Sequence, residues 1–321
     1  MALTTAREKG FSKLMQRRFD LGVVNNQVFW PQIATRIPSD SDLENYFAIG
    51  AKPGVREWLG ERVLKEFRAG DYVLKNKLWE SSLLADRHAV DDDKVGVYLN
   101  QAEELGAEAA AHPDQLVIDT LVAGATAGNN SFDGVSFFNA AHVWGDSGSQ
   151  TNVRAVVPAA GAGNAIVAAD FKSAYNLARV QMLKFKNDQG KFMNRTATRQ
   201  DDLLCLIPPD LDQQAREALL TTTYGFSTAD AGISPDQGGN QNVVIADPSV
   251  VPVTLLTNAR KWYLIRRNAP LKGLIFQDRS PLRREVVGRD SIEKKDYMMY
   301  TEARYNVGYG AWWTVIEVTF S

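Results

Sequence analysis

Apolar positions near the start of the chain fall at helical spacing. Phe11, Leu14, Met15 and Phe19 predict a short amphipathic helix. Trp30-Pro31 and Ile37-Pro38 then break regular structure. Residues 1–42 therefore read as an arm, too small to bury its own apolar side chains and in need of a surface to lie on. Two strand-like runs follow, 63–67 and 72–79, around a turn at Arg68-Ala69-Gly70-Asp71, and they predict a hairpin over 55–90. Alternation in the second run puts Tyr72, Leu74, Asn76 and Leu78 on one face and Val73, Lys75, Lys77 and Trp79 on the other. Both faces mix apolar and polar groups. An isolated two-stranded ribbon is barely stable in water, so this one is expected to rest on a neighbouring molecule.

Asp91-Asp92-Asp93 suits a helix N-terminus, because carboxylates complement its partial positive charge. Val95, Tyr98, Leu99, Ala102, Leu105 and Ala109 continue as one apolar stripe. His112-Pro113-Asp114 is expected to end that helix. A second short helix then spans 116–121, with Gly124 as a left-handed cap and a loop over 123–130. Residues 158–165 are small and form a linker. Beyond it the pattern becomes α/β-like. A helix begins near Asp170, with Phe171, Ala174, Tyr175, Ala178, Met182 and Phe185 on one face. Strand-like residues 191–198, a buried strand at 203–207 and a short helix at 212–220 come next. A polar loop over 224–242 precedes strands at 243–245 and 262–265, and residues 296–320 predict two or three more.

Composition narrows the function. With 45% hydrophobic residues in 321, the chain can build a core, and its length suits about two domains. The 36 basic and 38 acidic residues nearly cancel, which argues against a sequence-reading DNA binder but not against a container for DNA. The single cysteine, Cys205, lies in an apolar run and reads as a buried core residue. No run reaches the roughly 18 apolar residues of a membrane helix. The first residues lack the apolar core of a signal peptide, so folding in a reducing cytosol is expected.

Candidate chemistry is sparse. Gly145-Asp146-Ser147-Gly148 is like the nucleophile loop of a serine protease, with His142 as its base, but it continues Ser149-Gln150 and reads better as a polar turn. Gly161-Ala162-Gly163 lacks the Lys-Ser/Thr of a phosphate loop and the third glycine of a dinucleotide loop. The three histidines, His88, His112 and His142, do not fall at metal-ligand spacing. No catalytic, cofactor-binding or metal site is expected, and the pairs Arg266-Arg267 and Arg283-Arg284 read as solvated or intersubunit charges.

Five segments carry a resemblance: Gly54-Val55-Arg56-Glu57-Trp58-Leu59-Gly60-Glu61-Arg62-Val63, Tyr72 to Glu80, Asp91-Asp92-Asp93-Lys94-Val95-Gly96, Asp133-Gly134-Val135-Ser136-Phe137-Phe138-Asn139-Ala140-Ala141-His142, and Gly308-Tyr309-Gly310-Ala311-Trp312-Trp313. In order and spacing they resemble the Mu-like prophage major head subunit family from about residue 43 onward. The resemblance implies an α+β fold of the Hong Kong 97 phage capsid type. Its parts would be an N-terminal arm (1–42), an extended loop (43–91, hairpin 55–90), a peripheral domain with a long spine helix (92–165), an axial α/β domain (166–275) and C-terminal strands returning to the peripheral domain (276–321). It further implies a non-enzymatic subunit that assembles into the icosahedral shell around the double-stranded DNA of a tailed phage. Assembly would take place in the bacterial cytoplasm, through pentamers and hexamers. A separate scaffold, a portal, a maturation protease and in some cases a decoration protein would be its partners. Arg56, Glu57, Trp58, Arg62, Lys75, Lys77 and Trp79 become intersubunit contact candidates, with packing inside one subunit as the competing role, above all for Trp79. A nanocompartment shell of the same fold and a serine hydrolase using Ser147 and His142 are the alternatives.

Overall fold

The computed structural model describes residues 6–46, 72–91, 95–194, 202–220, 223–224, 240–241, 249–290 and 295–321. In chain order the helices are α1 (Ala6–Asn25), α2 (Arg87–Asp91), α3 (Val95–Ala123), α4 (Ala168–Leu183) and α5 (Asp212–Leu220). The strands are β1 (Ala34–Pro38), β2 (Leu43–Asn45), β3 (Val73–Lys75), β4 (Lys77–Asp86), β5 (Val153–Val156), β6 (Leu203–Ile207), β7 (Thr223–Tyr224) and β8 (Asn240–Gln241). Five more follow: β9 (Ser249–Pro252), β10 (Lys261–Arg266), β11 (Leu274–Asp290), β12 (Lys295–Tyr309) and β13 (Val315–Phe320). The chain is α+β, as expected. It divides into two compact units, each built from three stretches of sequence.

The first unit takes Met1–Asn45, Val73–Thr120 and Ile275–Gly308. Its four-stranded sheet has the order β1-β11-β12-β4. Phe276 packs on Tyr305 and Tyr300 bonds Glu285, so β11 and β12 run in opposite directions. The apolar stripes of α1 and α3 meet over this sheet. Phe11, Met15 and Phe19 are buried with Ala102, Ala85, Val286, Tyr297 and Met299, while Val95, Tyr98, Leu99, Leu105 and Ala109 pack against them. The arm thus finds its surface on its own chain, and its helix is longer than the pattern predicts.

Three expectations change here. First, the run 72–79 breaks at Asn76. β3 pairs with β2, and β4 pairs antiparallel with β12 from Lys77–Tyr305 to Asp86–Asp296. The side-chain amide of Asn76, buried at the break, donates to Ser39 Oγ and Ser41 O at 3.0 and 2.8 Å. The return strand therefore has partners within its own chain. Its expected mate at 63–67 lies outside the described residues, as do Asp92 and Asp93 of the expected helix start, while Asp91 ends α2.

Second, α3 runs through Pro113 instead of stopping there. The proline removes one helical hydrogen bond. Buried Ala102 and Ala110 on one side, and Val117, Ile118 and Leu121 on the other, hold the turns together. Third, Gly124 is not left-handed. A Cβ there would stand about 3.0–3.1 Å from Phe138, Phe137 and Leu121 O, so the glycine serves close approach.

The second unit takes Tyr46–Tyr72, Leu121–Leu274 and Tyr309–Ser321. Its five-stranded sheet has the order β5-β13-β10-β6-β9. β10 is antiparallel to both β13 and β6, whereas β5 and β9 are parallel to their neighbours. All five residues of β6, Cys205 included, are buried, which fits its uninterrupted apolar run. α4 buries the predicted stripe, with Phe171 stacked on Trp262 at 4.7 Å. The small-residue linker joins β5 to α4 within this unit and is pinned at two points. Ala159 N donates to Asp170 Oδ1 at 2.8 Å, and Gly163 N donates to Ser321 O at 3.0 Å. The polar loop over 224–242 is closed at its base by the short β7–β8 pair, and the strand expected at 243–245 lies outside the described residues.

These units divide the chain differently from the expected 92–165, 166–275 and 276–321. Residues from Leu121 onward join the five-stranded sheet because β5 pairs with β13, and β13 with β10. The C-terminal stretch splits, with 275–308 in the first unit and 309–321 in the second.

Candidate assembly surface

The residues of the hydrolase reading come first. His142 and Asp133 are both fully buried, with Nδ1 2.6 Å from Asp133 Oδ2. The other ring nitrogen, Nε2, stands 3.2 Å from both Phe137 O and Asn152 Oδ1. Asn152 is fixed in that orientation, since its Oδ1 also accepts from Asn139 N and its Nδ2 donates to Phe137 O. Both imidazole nitrogens therefore have partners, and Ser147 is not one of them. The ring lies flat on Trp312, 4.1 Å away. Ser147 Oγ meanwhile donates to Gly148 O and accepts from Trp144 N. Asp133 and His142 close a buried loop core, and Ser147 caps a turn. The hydrogen bonds of Ser147 and His142 go to other groups, and the nucleophile–base contact of acyl transfer is not among them.

The ribbon residues sit in the first unit. Lys75 and Lys77 are exposed, and the Lys77 ammonium stands 5.9 Å from the Trp79 ring. Trp79 is half-buried. Its indole N–H donates to Tyr305 O at 3.0 Å, and its ring lies 4.4 Å from His112. His112 Nδ1 is 2.7 Å from the Tyr305 hydroxyl. Burial holds the His112 imidazole below its ordinary pKa, opposed by Glu108 and Asp119 on the same helix. Burial likewise raises the Tyr305 phenol. The cluster borders a cavity of about 240 Å³ between α3 and the sheet. Trp79 thus has strong partners in its own subunit and one face on open space. Arg56, Glu57, Trp58 and Arg62 lie outside the described residues.

A second apolar surface was not anticipated. Leu14, grouped with Phe11 in the sequence, points away from the core at 48% exposure. Leu21, Val24 and, just past the helix, Val28 are exposed as well, with Val24 at 77%. Their spacing of seven, three and four makes one stripe along α1, beside the buried stripe of Phe11, Met15 and Phe19. On β4, Leu78 and Leu84 are also exposed, at 64% and 52%. A run of exposed aliphatic side chains on one helix face is costly in water unless something covers it. Counting two helical stripes instead of one would have found it.

The family model of the Mu-like prophage major head subunit gpT matches residues 9–174 and 246–319. The chain is 33% identical over 147 residues to the Mu-like prophage FluMu major head subunit of Haemophilus influenzae, covering 46% of each chain. It is 29% identical over 142 residues to the major capsid protein of Escherichia phage Mu, covering 44% of this chain and 46% of the other. The chain thus spans about half the length of the curated relatives it matches. Among solved structures, the fold is similar to the procapsid of bacteriophage JBD30, with TM-score 0.56 and 23% identity over 99% of this chain and 77% of that one. It is also similar to the capsid of the cyanophage P-SCSP1u, with TM-score 0.56 and 14% identity over 92% and 89%. The architecture is that of the Hong Kong 97-type capsid fold.

Proposed function

Because this chain belongs to the Mu-like prophage major head subunit family, we propose that it is the major capsid protein of a tailed bacteriophage, building the icosahedral shell around double-stranded DNA by self-association. The observation that carries this reading, beside the family, is the exposed apolar stripe of α1. Such a stripe gains free energy only when another surface covers it, at roughly 25 cal/mol per Å² of apolar area. The occupant is a neighbouring subunit. In this reading the first compact unit serves as the peripheral domain with α3 as its spine, and the second as the axial domain around five- and six-fold centres. Lys75, Lys77 and Trp79, with Arg56, Glu57, Trp58 and Arg62, lie toward neighbours. The shell forms in the bacterial cytoplasm, with a separate scaffold, portal and maturation protease and room for a decoration protein. DNA is held through charge without base reading.

The test follows from the two faces of α1. Deleting residues 1–42 would uncover the core as well as the contact surface. The double variant Leu21→Lys with Val24→Lys alters only the outward face. It should give folded, soluble subunits that form no closed particles under negative-stain microscopy. Normal particles from that variant would sink the assigned role of the stripe. Particles from the unaltered chain filled with protein cargo instead of DNA would favour the nanocompartment reading.

A further inference from the structure

The second unit carries a pocket of about 440 Å³ between α4 and the segment 147–154. Arg154, Lys184 and Lys186 line it, and no carboxylate does. None of the three cations makes an ion pair among the described residues. Arg154 Nε is buried and lacks a hydrogen-bond partner. Ser149 and Thr151 also line the pocket, but the Thr151 hydroxyl is engaged with Val153, donating to its O at 3.1 Å and accepting from its N at 3.2 Å. The walls are fastened to each other: Gln150 accepts from Lys186 N at 2.6 Å and donates to Lys186 O at 3.0 Å.

Three positive charges around one concavity repel each other; the two lysines are exposed, and the Lys186 ammonium stands 5.8 Å from the Phe192 ring. Arg154 Nε is sealed from solvent, so a ligand in the pocket meets Arg154 through the rest of its guanidinium. An anion with several acceptor oxygens would relieve the repulsion among the three cations. A phosphoryl group suits the set best, because it offers three or four oxygens to several donors at once. The volume exceeds what a bare phosphate fills, so there is space for the group it is attached to.

We propose that this pocket is a binding site for a phosphoryl group, met through Arg154, Lys184 and Lys186 with help from Ser149. The group comes either from a small phosphate compound or from a nucleic-acid backbone, which share this chemistry. The proposal does not rest on shell formation and is tested on unassembled full-length subunits.

Inorganic phosphate is titrated into the full chain by calorimetry at fixed ionic strength, with chloride as the control anion. The comparison is between the natural chain, the triple variant Arg154→Gln, Lys184→Gln, Lys186→Gln, and a charge-matched control, Lys9→Gln, Lys13→Gln, Arg17→Gln. The natural chain should bind phosphate saturably. The pocket variant should bind at least about tenfold more weakly, since a charge-assisted contact is worth about that factor or more. The control should shift by less than about twofold, as expected for screened surface charges. If the triple variant fails to fold, Lys184→Gln alone replaces it, because that side chain is exposed. Absence of saturable binding to the natural chain overturns the proposal. So does an equal loss in both triple variants, which would mean general charge attraction. A short duplex DNA then separates the sources. Competition with phosphate assigns the backbone, and phosphate binding without competition assigns a small compound.

Discussion

At Asp114 a buried carboxylate staples the arm to α3. It accepts from Trp30 N at 2.7 Å and from Phe29 N at 3.1 and 3.2 Å. Burial still raises its pKa, because those two donors do not replace the lost water. Asp114→Asn keeps an acceptor and removes the buried charge, so it should leave thermal stability at neutral pH unchanged or higher. Asp114→Ala strands both N–H groups and should cost about 1–3 kcal/mol by chemical denaturation. Equal losses in the two variants would contradict this account. A folded pKa above the unfolded one also means that the charged form is penalised. That part of stability is present at low pH and lost as pH rises through the folded value, and Asp114→Asn should abolish it. His112 works in the opposite direction. Its pKa is lowered in the folded protein, so stability is full above its unfolded value of about 6.5 and declines as pH falls. The loss of melting temperature between about pH 7.5 and about pH 5 should shrink in His112→Gln. An unchanged slope would assign the acid sensitivity elsewhere.

Among the elements, the α1–α3 contact depends on two glycines. A Cβ on Gly22 would collide with Glu103 O, and one on Gly106 with Phe19 O. These are backbone atoms and cannot swing aside. Gly22→Ala or Gly106→Ala should therefore cost about 1–3 kcal/mol, as overpacking does. Gly10→Ala, on the same helix with open space around it, should instead stabilise by up to about 1 kcal/mol. Thermal unfolding of the three variants distinguishes packing from propensity; a stabilised Gly22→Ala would show that the helices can part. Sequence patterns found α1, α3, α4, α5, β6 and β10, because helical periodicity and short apolar runs are local signals. They missed β11. Its middle carries Pro281, Leu282, Arg283, Arg284 and Glu285, all exposed, so no alternation marks it. Pairing with β1 and β12 makes it a strand. The break at Asn76 was hidden for a similar reason, since its partners Ser39 and Ser41 are remote in sequence. Of the candidate surface, the ribbon was legible as unusual. The outward stripe of α1 was not, because one apolar stripe satisfied the pattern.

For the whole molecule, sequence segments and compact units do not coincide, and the chain passes five times between the units. β13, near the C-terminus, stands between β5 and β10 in the five-stranded sheet. Truncation after Gly308 would remove it and leave β10 without one of its two partners. Trp312, almost fully buried, would go with it. The truncated chain should show no cooperative transition for the second unit in near-ultraviolet circular dichroism. A peptide of residues 309–321 supplied in excess should restore one. A truncated chain that melts normally would mean that the sheet tolerates the gap.

That position also sets a clock. During synthesis β5, β6, β9 and β10 leave the ribosome before the strand that joins them. Until β13 arrives, β10 presents an unmatched row of backbone donors and acceptors. The sheet is therefore finished only after β13 has been made. A copy cut short by stalled translation would lack a finished second unit. In the proposed shell, each position would be open only to chains read through to β13, so the order of residues in time would screen the building blocks before any two of them meet.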